Sequence, residues 1–343
     1  MVVGAQAGCK EEPKPTASGS SSASAPPDTT MDLPPQVKAA IAAASASAAR
    51  GKGDAPPETG VFGPGEADTV HPASRPATLR IGAEGGEPRV SLVPVNPMFK
   101  GNAKVTVAIR TGPRNALPTA EFFVEMAPEK ADAKAPAGAA QPPAIIVKVK
   151  KIEMSSEQLG VVSPEAKKEI EKLKGSQLRI VLGPEGGAGD VTIELAKGAA
   201  PDLERVVVTL ADALLTLYAP MPAKPVGVGA VWIAESRNSY SGVDLVSYRM
   251  YRVTEVSGDD VTISIELKQY AAGPNLRFAG LPPDALLQQF DSLGAGEFKL
   301  HKGEAFPKEG RFAQQLALGI PAAGQSAGRL MQLSLQSNSL LSR

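Results

Sequence analysis

Val261, Ile263, Ile265 and Leu267 place an aliphatic residue at every second position, with Thr262, Ser264, Glu266 and Lys268 between them. An extended chain turns successive side chains to opposite faces, so this run predicts a half-buried strand. Gly258-Asp259-Asp260 separates it from a preceding run rich in Val, Tyr and Met, and two such runs around a glycine-bearing turn predict an antiparallel hairpin. The stretch Lys224–Tyr270, which holds the one tryptophan, Trp232, and four of the five tyrosines, predicts three strands in all.

The same period recurs on both sides. Val105, Val107 and Ile109 predict one strand and Phe122, Val124 and Met126 another. Ile145, Val147 and Val149 predict a third whose apolar phase slips at Ile152 and Met154, which a β-bulge near Lys150 and Lys151 accounts for. Ser163 then caps a helix with Pro164 in its first turn, Ile170 and Leu173 inward, and Gly175 at its end. Leu178, Ile180 and Leu182, and then Val191, Ile193 and Leu195, predict a pair of strands joined by a glycine-rich turn over Gly183–Gly189. From Asp202 to Tyr218 the spacing changes to helical: Leu203, Val206, Val207, Leu210, Leu214 and Leu217 form the widest apolar stripe of the chain, stopped by Pro220 and Pro222. Pro282-Pro283-Asp284 reads as the start of a third helix, with Leu286, Leu287 and Phe290 inward and Gly294 to Gly296 at its end. Strands follow at Phe298 and Leu300, at Phe312, Leu316 and Leu318, and at Met331, Leu333 and Leu335.

These elements predict an α+β fold that is mostly antiparallel β: a curved sheet or half-barrel with three covering helices. Strands, a short helix, a glycine and a glycine-rich hairpin recur in each half, which points to a tandem duplication with Asp202–Tyr218 as the bridge. The expected division is 78–200 for the first β-rich half and 201–343 for the second, within one globular unit.

Composition changes the picture at the N-terminus. Of the 343 residues 34 are Gly and 31 Pro, and residues 10–77 are so rich in Ser, Ala, Pro and Gly that they read as a disordered linker, with at most a marginal helix over Gln36–Arg50. The single cysteine, Cys9, precludes an internal disulfide and follows Ala7-Gly8, behind an apolar Met1-Val2-Val3. This junction resembles the end of a bacterial lipoprotein signal peptide, and residues 1–9 are read as its remnant. Gln6 stands where such motifs carry an aliphatic residue and the apolar run is short, so the expected start lies upstream of Met1. With the linker behind it, the chain resembles uncharacterised envelope lipoproteins of high-GC Gram-negative bacteria. The resemblance implies lipid on Cys9, membrane attachment through that lipid, and a body facing the periplasm or the cell surface. A curved sheet with helices in its hollow is also similar, at the level of fold, to half-barrel periplasmic lipoprotein carriers.

Charge and chemistry narrow the function further. Lys+Arg and Asp+Glu are both 36 and no basic stripe runs along the chain, which argues against a nucleic-acid partner. Gly183–Gly189 and Gly227-Val228-Gly229 lead into strands, whereas a phosphate-binding loop opens into a helix. His71 and His301 have no ligand-spaced neighbours, Asp259-Asp260 is a turn pair, and no serine has a nucleophile-elbow setting, so no cofactor, metal or catalytic residue is expected. The expectation is a non-catalytic envelope lipoprotein binding an apolar or lipidic ligand, with Leu210, Leu214 and Leu217 as the floor of a hollow and Trp232 and Tyr248 as its walls. The alternative is a structural or assembly module that binds another envelope protein through a sheet edge.

Overall fold

The computed structural model describes residues 57–73, 77–93, 100–111, 115–129, 143–155, 162–182, 188–240, 243–276, 285–304, 306–321 and 330–343. Cys9, the sequence around it and the helix expected at 36–50 lie outside the described residues.

Among the described residues thirteen strands form one sheet. They are β1 (Thr78–Ala83), β2 (Gly101–Thr111), β3 (Asn115–Ala116), β4 (Thr119–Pro128), β5 (Ala144–Ser155), β6 (Gln177–Leu182), β7 (Ala188–Glu194), β8 (Val231–Tyr240), β9 (Val243–Ser257), β10 (Asp260–Ala271), β11 (Gln289–His301), β12 (Glu309–Pro321) and β13 (Leu330–Ser342). Their spatial order is β1-β8-β9-β10-β11-β12-β13-β2-β4-β5-β6-β7, with β3 beside β2. The pairings are antiparallel, including that of the last strand β13 with β2, where Leu335 faces Thr111 and Ser342 faces Lys104. That pairing joins two meanders, distant in sequence, into one open curved sheet.

Three α-helices accompany it among the described residues: α1 (Glu66–Val70), α2 (Pro164–Glu171) and α3 (Glu204–Leu217). α2 has the expected cap, with the Ser163 hydroxyl accepting from the Ala166 N–H at 3.1 Å. The bulge in β5 is also present: Phe123 faces Lys151 and Val124 faces Val149, leaving Lys150 as the extra residue. α3 lies in the hollow of the sheet, against β2, β7, β12 and β13. Its stripe is buried in a core with residues such as Val105 of β2, Phe122 of β4, Val147 of β5, Ile180 of β6, Trp232 of β8, Ile263 of β10 and Phe298 of β11. The Arg249 guanidinium donates to the Leu215 carbonyl at 3.1 Å, placing a cation at the carbonyl end of the helix.

The start expected for the third helix, Pro282-Pro283-Asp284, lies outside the described residues, and from 285 onward the described chain is not helical. Leu286 bridges to Asn275, and Gln289–His301 is strand β11, with Phe290, Ser292, Gly294, Gly296, Phe298 and Leu300 on its inner face. Gly294 and Gly296 are not helix terminators. A Cβ on either would meet the Phe312 ring, at 2.6 Å and 2.8 Å respectively, so the glycines make room for that ring across the strand. The proposed duplication rested on matching this helix with α2, and it loses that support because the second half is an unbroken meander from β8 to β13.

Part of the stretch expected as linker is folded. Residues 57–73 are packed on the sheet, with Phe62, Ala67 and His71 buried. β10 and β11 pair only as far as Lys268 and Leu293, although β10 continues to Ala271 and β11 begins at Gln289. Thr59–Phe62 fills the gap where they part, and Val61 bridges Ala271 in parallel. α1 follows across the outer face, and Arg237 clamps it there, pairing with Asp68 of α1 and, at 2.8 Å, with Asp244. The globular body therefore includes residues 57–73, upstream of Thr78.

Candidate binding surfaces

The residues expected to line a ligand hollow are divided between two faces. Leu210, Leu214, Leu217 and Trp232 share the inner core, and each has 0% exposure. With no accessible area, none of them adjoins a space the size of a water molecule; α3 itself fills the hollow. The Trp232 indole N–H donates to the Pro220 carbonyl at 3.0 Å, and its ring stacks on Tyr251 with centroids 5.4 Å apart. Tyr218 packs on Phe306 beside the C-terminal end of α3, at 5.1 Å. Tyr248 lies on the other face of the sheet, where it meets Tyr270 edge-on at 5.9 Å in a cluster with Phe62. Strand parity explains the split: Tyr251 and Tyr248 are three residues apart on β9, so they point to opposite sides.

A row of polar side chains crosses the inner face instead, one strand after another. The Ser247 hydroxyl donates to Asn238 Oδ1 at 2.8 Å, and the Gln269 amide donates to Ser247 at 2.9 Å. Gln269 Oε1 accepts from Ser292 at 2.8 Å and from Gln314 at 2.6 Å. The row separates the large core around α3 from a second apolar cluster of Leu245, Leu276, Leu287, Phe290, Leu316, Leu318 and Leu335. Sequence reading missed it, although Gln269 follows Leu267 at the inward phase and Gln314 follows Phe312 in the same way. The row holds no acid, base or activated nucleophile; it is a closed chain of neutral donors and acceptors.

The charged groups are mostly engaged in pinning strands. Asp260 accepts from Lys308 and from His301 Nδ1, each at 2.8 Å, and these bonds draw its carboxyl down to about 2. The Asp259 carbonyl accepts from the Lys302 N–H at 2.7 Å, so the adjacent carboxylates belong to a turn. Across the outer face Lys104 pairs with Glu121, Lys150 with Glu125, and Arg179 with both oxygens of Glu129. A hollow of about 590 Å³ on that face is lined by the charged side chains Lys104, Glu297, Lys299, Glu309 and Arg311 beside Leu340. Two carboxylates differ: burial alone lifts that of Asp212 on α3 to about 7, and burial also raises that of Glu266 on β10. Among the described residues no group of three or more His, Cys, Asp or Glu side chains could hold a metal ion.

Two further surfaces arise from the open sheet. Among the described residues β1 and β7 are its ends, each paired on one side only. In the gap between β10 and β11, the Phe62 N–H donates to the Ala271 carbonyl at 2.9 Å, the Ala271 N–H to the Gly60 carbonyl at 2.9 Å, and the Phe290 N–H to the Thr59 carbonyl at 2.8 Å. Here the sheet has accepted an extended segment from outside its own meander. No protein family and no curated protein matches the chain. No helix among the described residues is long and apolar enough to cross a membrane.

Proposed function

We propose that this protein is a non-catalytic assembly module of the cell envelope, anchored by lipid on Cys9, which binds another envelope protein by taking up an extended segment along its sheet. The observation that carries this reading is an open sheet whose hollow is occupied by α3, with Leu210, Leu214 and Leu217 fully buried. A carrier of apolar ligand needs space beside Leu210, Leu214 and Leu217, and α3 would have to leave the hollow to provide it. Strand addition needs only unpaired backbone, which β1 and β7 offer at the two ends of the sheet among the described residues.

The anchor and the binding mode are tested separately. Intact mass and detergent partitioning of the protein expressed from its natural start should both change on Cys9→Ser; an unmodified, fully soluble native protein removes the anchor. A photocrosslinking residue at Thr192 of β7 or Arg80 of β1 should give a discrete adduct in cells, identified by mass spectrometry as an envelope protein. Native mass spectra showing a lipid held by the purified protein, together with no adduct from either edge, would overturn the assembly reading in favour of a carrier.

A further inference from the structure

The gap between β10 and β11 has the properties of a receptor for one kind of peptide. Its backbone groups are presented by Ala271 on one side and Phe290 on the other, and both are met by Thr59–Phe62. Side chains are read on both faces. Val61 packs into the inner cluster with Leu245, Leu276 and Phe290, while Phe62 packs on the outer one with Val246, Tyr248 and Tyr270, its ring 6.1 Å from that of Tyr270. The residue before them must be glycine: at φ 74° a Cβ on Gly60 would lie 1.8 Å from the Phe290 carbonyl oxygen. The site thus selects glycine, then an aliphatic, then an aromatic residue, running parallel to β10.

The occupant is held far more lightly than the strands around it. Three backbone hydrogen bonds and two apolar side chains fix Thr59–Phe62, whereas β9 and β10 pair from Asp260–Ser257 to Ala271–Leu245. Gly63 is tied to α1, its N–H donating to Glu66 Oε2 at 2.8 Å and its carbonyl accepting from the Glu66 N–H at 3.1 Å, so α1 keeps its place on Arg237 when Thr59–Phe62 parts from the sheet ahead of Gly63. We propose that this gap is a strand-accepting site for an extended Gly-aliphatic-aromatic segment of another protein, with Thr59–Phe62 as a displaceable resident that keeps it closed until that partner arrives. The proposal rests on the strand-addition reading above and gives it a location and a partner chemistry.

The test uses full-length protein carrying Gly60→Val, which evicts the resident, and a fluorescent peptide with the sequence of residues 57–73. The peptide should bind the variant saturably and bind the wild type about tenfold or more weaker, because the tethered resident competes at an effective concentration in the millimolar range. A Phe62→Ala peptide should lose most of this binding. A variant that is folded by its Trp232 emission yet binds no peptide, or equal binding to variant and wild type, overturns the proposal. Should Gly60→Val not fold, hydrogen exchange in the wild type decides: the amides of Phe62, Ala271 and Phe290 should exchange about tenfold or more faster than those of Ile263 and Ile265. Equal protection would make the segment a permanent part of the sheet. Peptide binding can fail while crosslinks from β1 or β7 persist, which would leave assembly standing and remove only this site.

Discussion

Asp212 makes the stability of the protein depend on pH in a direction opposite to that of most carboxylates. It lies on α3, and burial lifts its carboxyl to about 7, whereas an aspartate in an unfolded chain titrates near 4. Between those values the folded protein keeps a proton that the unfolded chain has released. Stability from this group is therefore full below pH ~4, declines as the pH rises, and levels off above ~7. A difference of about three units corresponds to at most about 4 kcal/mol. Asp212→Asn keeps the shape and removes the ionisation, so the variant should match the wild type near pH 4 apart from a constant offset. The gap should then widen in the variant's favour by up to ~4 kcal/mol at pH 8. Urea unfolding followed by the emission of Trp232, the single tryptophan and fully buried against Tyr251, measures both proteins across that range. A gap that stays constant from pH 4 to 8, with equal slopes in urea, would show that Asp212 is ionised in the folded state and that the helix face around it is wet.

Two substitutions test the interior. Leu214→Ala should cost about 2 to 5 kcal/mol, read as a lower urea midpoint, because a side chain with no exposure leaves a cavity that its neighbours cannot fill; a cost under about 1 kcal/mol would mean that α3 is loosely seated. Gln269→Leu should cost about 2 kcal/mol or more, since it strands Ser292 and Gln314 among apolar neighbours and leaves Ser247 with Asn238 alone. Adding Gln314→Leu should recover part of that loss, and full additivity of the two losses would show that the side chains do not act as one row.

Period-two alternation located most of the strands, because a sheet with one buried face writes that face into every second residue. It located β2, β4 and β10 by their aliphatic residues, and even the Lys150 bulge through a slipped phase. Ser163-Pro164 and the stripe from Leu203 to Leu217 located α2 and α3 in the same local way. β11 was misread because its inner positions hold Ser292, a member of the polar row, and Gly294 and Gly296, which make room for the Phe312 ring on the next strand. Phe62 and Ala67 carry no period in a Gly/Pro-rich stretch, and their burial depends on a gap between β10 and β11 that only the pairing of those strands creates. The polar row is likewise a property of five strands at one level, with each member a single exception in its own strand. Local sequence thus determined which side of each element is apolar. Which apolar sides meet was decided by tertiary structure, since α3 could either leave the hollow open to a ligand or fill it. It fills it because the pairing of β13 with β2 brings the two meanders into one curved sheet whose concave face is covered by that stripe.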